Sequence, residues 1–254
     1  MTARRLRASQ EKTRPSFYWF LAATAAPLIS LVLKLEIEDG DKLPREGPYV
    51  LAPNHYSELD PLAVALSVWK MGRAPRFMAK ESLFRVPVLG WILRMTGMVP
   101  VARASSAAAA RQTLDNAQML ADLGRGVIVY PEGTLTRDPD LWPMRGKTGA
   151  VRLALAGDIP LIPMAHWGVQ QVLPRYGKLK LWPLRRRVRL VVGDPVDLSS
   201  FRDSGGKPAD LIAATDVVMA DVSALLSRLR DEPAPPERWN PSAHGQKETG
   251  RLEP

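Results

Sequence analysis

The sequence predicts an α/β domain, a mixed and mostly parallel sheet flanked by helices, preceded by an N-terminal membrane-associating helical segment. Three observations predict it. Short β-prone runs alternate with helical stretches from residue 35 onward, as in sheet-and-helix layers. A usage of 46% hydrophobic and 24% charged residues supplies enough apolar surface for one globular core in 254 residues. Ahead of the first strand, residues 16–33 run for 18 positions without a charge between a basic arm and Lys34.

That uncharged run opens with Phe17, Tyr18, Trp19 and Phe20, a cluster suited to a headgroup layer. It also carries Thr24, Pro27 and Ser30, and its length is borderline for a span. An anchor dipping into one leaflet, bent at Pro27, is the expectation. A full span and a secretory signal are the alternatives.

Residues 35–38 read as a short strand ending in the turn Asp39-Gly40, and 49–52 as a second strand after the Pro44–Pro48 turn region. Residues 61–71 read as a helix, with Asp60 as its cap, Pro61 at the first position and Gly72 past the end. Short strands are expected at 76–79 and 98–101. The alanine-rich stretch 105–123 is the clearest helix, capped by Ser105 or Ser106 and stopped by Gly124. Residues 126–130 form a buried-type strand that runs straight into Pro131-Glu132-Gly133. A helix at 147–156 stopped by Gly157, strands at 160–165 and 188–192, and a helix at 211–229 complete the pattern. Residues 231–254, with five prolines and little to pack, read as a disordered tail.

The chain has no cysteine and three histidines, which excludes disulfides and thiolate chemistry and argues against a structural zinc site. Its net charge of +9 is concentrated. Residues 1–15 hold Arg4, Arg5, Arg7, Lys12 and Arg14 against Glu11, and residues 175–189 hold seven cations and no acid. Such patches predict an anionic surface as partner, lipid headgroups or nucleic acid, and the apolar segment favours lipid.

Four blocks carry candidate chemistry. In Asn54-His55-Tyr56-Ser57-Glu58-Leu59-Asp60, a strand gives way to a helix, and the turn can fold Asp60 back onto the His55 imidazole. A carboxylate there fixes the tautomer of a general base and stabilises the imidazolium. In Tyr130-Pro131-Glu132-Gly133-Thr134 a tight turn presents Glu132, a candidate for holding acceptor hydroxyls or ordering nearby basic groups. Lys80 and Arg103 bracket an apolar segment containing Pro87 and Gly90, a pattern that combines acyl-chain burial with phosphate binding. Ile159-Pro160-Leu161-Ile162-Pro163 is a proline-bracketed strand that shapes a wall. Two other readings fail. Arg145-Gly146-Lys147-Thr148 has the ending of a P-loop, but Leu141 replaces its leading glycine and Trp142 and Pro143 obstruct a cradle. No Gly-x-Ser-x-Gly elbow exists for a serine hydrolase.

Jointly and in this order, the blocks resemble the glycerolipid acyltransferase family, of which lysophosphatidate acyltransferases are the familiar members, over roughly residues 48–196. The resemblance implies His55 and Asp60 as catalytic residues, and Arg103, Glu132, Gly133, Thr134 and Lys80 as substrate-binding ones, with no metal and no resident cofactor. It implies acyl-CoA or acyl carrier protein as donor and 1-acylglycerol-3-phosphate or a related lysolipid as acceptor, in phospholipid biosynthesis at the cytoplasmic face of the cell membrane. Glycerol 3-phosphate or a glycolipid is the alternative acceptor, and a non-catalytic anionic-lipid-binding protein is the alternative of another class. The implied division is a basic arm and anchor over 1–34, an acyltransferase domain over 35–230 and the tail. Two departures bear on the acceptor: Ala102 stands where the family often has an acid, and Leu135 where it often has an arginine, with Arg137 two positions on.

Overall fold

A computed structural model describes residues 17–101, 107–204, 206–247 and 250. The chain opens with helix α1 (Phe17–Val32), which continues through Pro27. Tyr18 is buried, its ring stacked 6.4 Å from that of Trp69 and its hydroxyl donating toward the carbonyl of Pro75 at 3.0 Å. Part of the aromatic cluster expected among headgroups therefore docks the helix on the domain, while Trp19 and Phe20 stay 46% and 62% exposed. Among the described residues no helix is long and apolar enough to cross a membrane.

Strand β1 (Leu33–Glu38) follows at once, then β2 (Tyr49–Pro53), α2 (Asp60–Lys70) and β3 (Met78–Lys80). A short helix α3 (Leu89–Met95), β4 (Val99–Val101), α4 (Ala107–Asp122) and β5 (Gly126–Ile128) come next. The chain then adds α5 (Gly149–Gly157), β6 (Leu161–Trp167), β7 (Arg186–Val192) and α6 (Pro208–Arg230). Five strands form one sheet in the order β1-β7-β6-β2-β5, and only the β6–β7 pairing is antiparallel. Strands β3 and β4 pair in parallel beside it, joined through the Phe77–Ile128 bridge.

Side-chain alternation along β2 splits the core. Val50 and Ala52 pack with α4, α5 and α6, whereas Tyr49 and Leu51 pack on the face covered by α2. Each fully buried Val, Leu or Ile here contributes roughly 1.5–3 kcal/mol. Gly126 lies opposite Tyr49, and a Cβ there would meet ring carbon Cζ at 2.0 Å, so this register requires glycine.

Some boundaries differ from the sequence reading for local reasons. Helix α5 starts at Gly149, two residues after Lys147, whose N–H donates to the Pro131 carbonyl at 2.7 Å. Its left-handed end is Asp158 (φ 48°), not Gly157. Strand β5 stops at Ile128, although Val129 still donates to the Leu51 carbonyl. The expected caps Ser105 and Ser106 lie outside the described residues.

The stretch 231–247 departs from a disordered tail. The Trp239 carbonyl accepts from Arg145 N at 3.0 Å, Arg238 pairs with Asp216 on α6 at 2.6 Å, and Pro241 is buried. Proline-rich composition lowers average packing capacity, but a few well-placed side chains suffice to hold a segment against a surface.

Candidate active site

Strands β2, β5 and β6 run parallel, so the loops after them gather at one edge of the sheet, the usual place for a site in an α/β fold. His55 follows β2 and Glu132 follows β5. The His55 Nδ1 lies 3.0 Å from Asp60 Oδ2, and the same oxygen accepts the backbone N–H of Tyr56 and of Ser57, each at 2.7 Å.

Asp60 is therefore not the cap of α2. It is the first helical residue, Leu59 holds the cap position, and its carboxylate points back along the chain. With two N–H donors already on Oδ2, the imidazole contact is best made as Nδ1–H donating to the carboxylate. That tautomer leaves Nε2 with its lone pair. Asp60 is fully buried whereas the His55 side chain keeps 16% exposure.

Asn54 and His166 hold the loop from behind. Asn54 donates through Nδ2 to the His166 carbonyl at 3.2 Å and accepts from the His166 N–H at 2.9 Å. The His166 ring is buried, with Nε2 2.9 Å from the Asn54 carbonyl and Nδ1 3.0 Å from the Tyr56 hydroxyl. Burial pushes its pKa down, so the ring is neutral, donating from Nε2–H and accepting the Tyr56 hydroxyl at Nδ1.

The Tyr130 ring stacks on the His55 ring with centroids 4.1 Å apart, and Phe77 stacks on Tyr130 in turn. Burial raises the Tyr130 phenol well above its usual range, which keeps this wall uncharged.

Glu132 is placed differently from the expectation that it would meet acceptor hydroxyls. Its carboxylate is buried, with Oε1 accepting His55 N at 2.9 Å and Oε2 accepting Met144 N at 3.1 Å. Both oxygens are taken by the protein. Burial raises its pKa to about 8 despite those two donors.

A cavity of about 380 Å³ opens beside the imidazole. His55, Lys80, Tyr130, Gly133 and Lys147 line it, with Met78, Val101 and Val129 on its apolar side. Gly133 has φ 68°, and a Cβ on it would lie 3.1 Å from Cδ of Lys147, so the glycine gives the lysine its path into the cavity. Thr134 is outside this lining; its hydroxyl is 3.4 Å from the Gly250 carbonyl. Arg103 lies outside the described residues. Arg137 does not substitute for it, because its guanidinium is buried and donates to the Tyr176 hydroxyl at 3.0 Å.

Lys147 and Tyr130 were not singled out as site residues from sequence. Lys147 belongs to the Gly-Lys-Thr ending, which is uninformative once a P-loop is excluded. The signal that could have found it is the short spacing from Gly133, which allows the chain to return to the same edge.

Comparisons with known proteins bear on the family and the fold. A family model described as Acyltransferase matches residues 34–167. The chain is 30% identical over 166 residues to the 1-acyl-sn-glycerol-3-phosphate acyltransferase BAT2, chloroplastic, of Brassica napus, covering 65% of this chain and 46% of that protein. It is 27% identical over 212 residues to the 1-acyl-sn-glycerol-3-phosphate acyltransferase of Bacillus subtilis, covering 84% and 98%. This chain thus spans about half the length of its plant relatives, yet nearly all of the bacterial one matches. The fold is similar to the crystal structure of the 1-acyl-sn-glycerophosphate acyltransferase PlsC from Thermotoga maritima, with TM-score 0.57 and 23% identity over 83% of this chain and 80% of that one.

Proposed function

Because this chain belongs to the Acyltransferase family, we propose that it transfers a fatty acyl group from a thioester donor to the free hydroxyl of 1-acylglycerol-3-phosphate or a related lysolipid. Acyl-CoA or acyl carrier protein is the donor, and His55 is the general base. The observation that carries the proposal is the 3.0 Å contact between His55 Nδ1 and the buried Asp60 carboxylate at the mouth of a partly apolar cavity.

In this reading Nε2 takes the proton of the acceptor hydroxyl as its oxygen attacks the thioester carbonyl. The tetrahedral intermediate collapses with cleavage of the C–S bond, and the imidazolium returns the proton to the departing thiolate. Asp60 stabilises the imidazolium in between. The apolar side of the cavity suits an acyl chain. Lys80 and Lys147 suit the acceptor phosphate, together with Arg103. Gly133 and Thr134 shape the turn beside them. The reaction belongs at the cytoplasmic face of the cell membrane with the protein attached to one leaflet, a reading supported by the exposed Trp19, Phe20, Leu28 and Leu31 of α1.

The test is thiol release from acyl-CoA in the presence of a panel of acceptors: lysophosphatidate, glycerol 3-phosphate, a lysophospholipid and a glycolipid. Wild type should release thiol with lysophosphatidate, and a folded His55→Ala variant should not. Undiminished transfer by that variant would remove His55 as base.

A further inference from the structure

The seven-cation run at 175–189 divides into two populations. Arg187 and Arg189 pair with Glu36 and Glu38 of the adjacent strand β1, and Arg175 donates to the Asp138 carbonyl at 2.9 Å. These three hold the fold. Among the described residues no carboxylate pairs with Lys178, Lys180, Arg185 or Arg186.

Lys178, Lys180 and Arg185 are interspersed with large apolar side chains that stay exposed, whereas Arg186 donates to the Trp182 carbonyl at 3.0 Å. Residues 177–185 are exposed throughout, with Leu179 at 55%, Leu181 at 49%, Trp182 at 81% and Leu184 at 41%. One exposed leucine is ordinary, but three leucines and a tryptophan together in nine residues constitute a patch.

Register locates this loop. The Arg185 N–H donates to the Leu31 carbonyl at 3.1 Å, and Arg186 pairs with Leu33, so the loop abuts the end of α1. There Leu28 and Leu31 are 68% and 53% exposed, and the two apolar surfaces adjoin. Because β7 is antiparallel to β6, it begins at the edge where β6 and β2 end. The loop therefore lies at the same edge of the sheet as His55.

We propose that residues 178–186 form a membrane contact separate from α1, with Leu181, Trp182 and Leu184 entering the headgroup layer of an anionic phospholipid bilayer and Lys178, Lys180 and Arg185 meeting its phosphates. Tryptophan and snorkelling Lys and Arg suit that layer, which satisfies both kinds of side chain at once. Nucleic acid would engage the cations and leave the leucines in water. A contact at this edge turns the cavity beside His55 toward the bilayer, the source of a lipid acceptor. The inference deepens the proposed activity, but its test reads binding without turnover, so the two fail separately.

The absence of cysteine makes a single-site probe clean. Leu181→Cys, labelled with an environment-sensitive fluorophore in the full chain, should shift to the blue with vesicles of phosphatidylcholine and phosphatidylglycerol. A label on Asp122→Cys, at the opposite sheet edge, should not. Replacing Lys178, Lys180 and Arg185 by Gln should weaken vesicle sedimentation roughly fivefold per cation removed. The proposal is overturned by an unshifted label at 181 on sedimenting protein, by an equal shift at 122, or by failure to sediment. A shift that tracks protein concentration without vesicles, or that RNA reproduces, overturns it in favour of a second copy or of nucleic acid.

Discussion

The backbone N–H of His55 donates to the buried carboxylate of Glu132 over 2.9 Å, joining loops 77 residues apart. The return contact runs from Thr136 N to the His55 carbonyl at 2.7 Å. The peptide of the proposed base is thus clamped on both sides by the loop that follows β5, while its ring is held by Asp60. Positioning to within a few tenths of an ångström demands such support when the base sits on a loop.

Asp60→Asn replaces an oxygen that accepts three donors. The variant should lose about 10²–10⁴-fold in kcat, comparable with loss of general-base catalysis. It should also lose about 1–3 kcal/mol of stability from the disturbed buried network. Steady-state kinetics and urea unfolding measure the two, and an unchanged kcat in a folded variant would separate Asp60 from the chemistry.

Glu132 makes stability depend on pH in an unusual direction. Its pKa is about 8 in the folded protein against an ordinary 4.5, so between those values the folded state binds more protons than the unfolded one. The contribution of this group is greatest below 4.5 and is lost as pH rises through 8. The urea midpoint of Glu132→Gln should therefore fall less than that of wild type between pH 5 and 8. Parallel midpoints for the two proteins would show that Glu132 does not titrate in this window.

Lys147→Ala should raise KM for a phosphate-bearing acceptor about 10–100-fold, the worth of one charged hydrogen bond, with kcat much less affected. Lys80→Ala and Arg103→Ala should act in the same sense. An acceptor without phosphate provides the control, since its KM should not move.

Gly126→Ala tests the sheet register independently of activity. The added methyl would collide with the buried Tyr49 ring, whose nearest carbon stands 2.0 Å from the Cβ position. Overpacking of this kind costs about 1–3 kcal/mol, read as a lower Tm. An unaltered Tm would mean that Tyr49 has room to move.

Glu132 was legible in the sequence as a special residue but not in its role. A turn of Pro131-Glu132-Gly133 announces a presented acid. Only the approach of residues 55 and 144 shows that the acid is turned inward and held by two peptide N–H groups. The basic run at 175–189 is similar: its charge is read directly, but which arginines are neutralised depends on β1 lying beside β7.

What the sequence determined alone was whatever depends on neighbours along the chain: the alternation of strands and helices, the apolar segment before β1, and the turn that returns Asp60 to His55 across four intervening residues. What the tertiary structure decided was the order β1-β7-β6-β2-β5 and with it the meeting of His55 with Tyr130 and Glu132 and the entry of Lys147 into the cavity; it also decided the packing of residues 231–247 against Arg145 and α6. The physical reason is range. Turn chemistry and helical periodicity act over a few residues and leave a pattern there, whereas strand order is chosen by the burial of whole faces, and no local stretch records its partner.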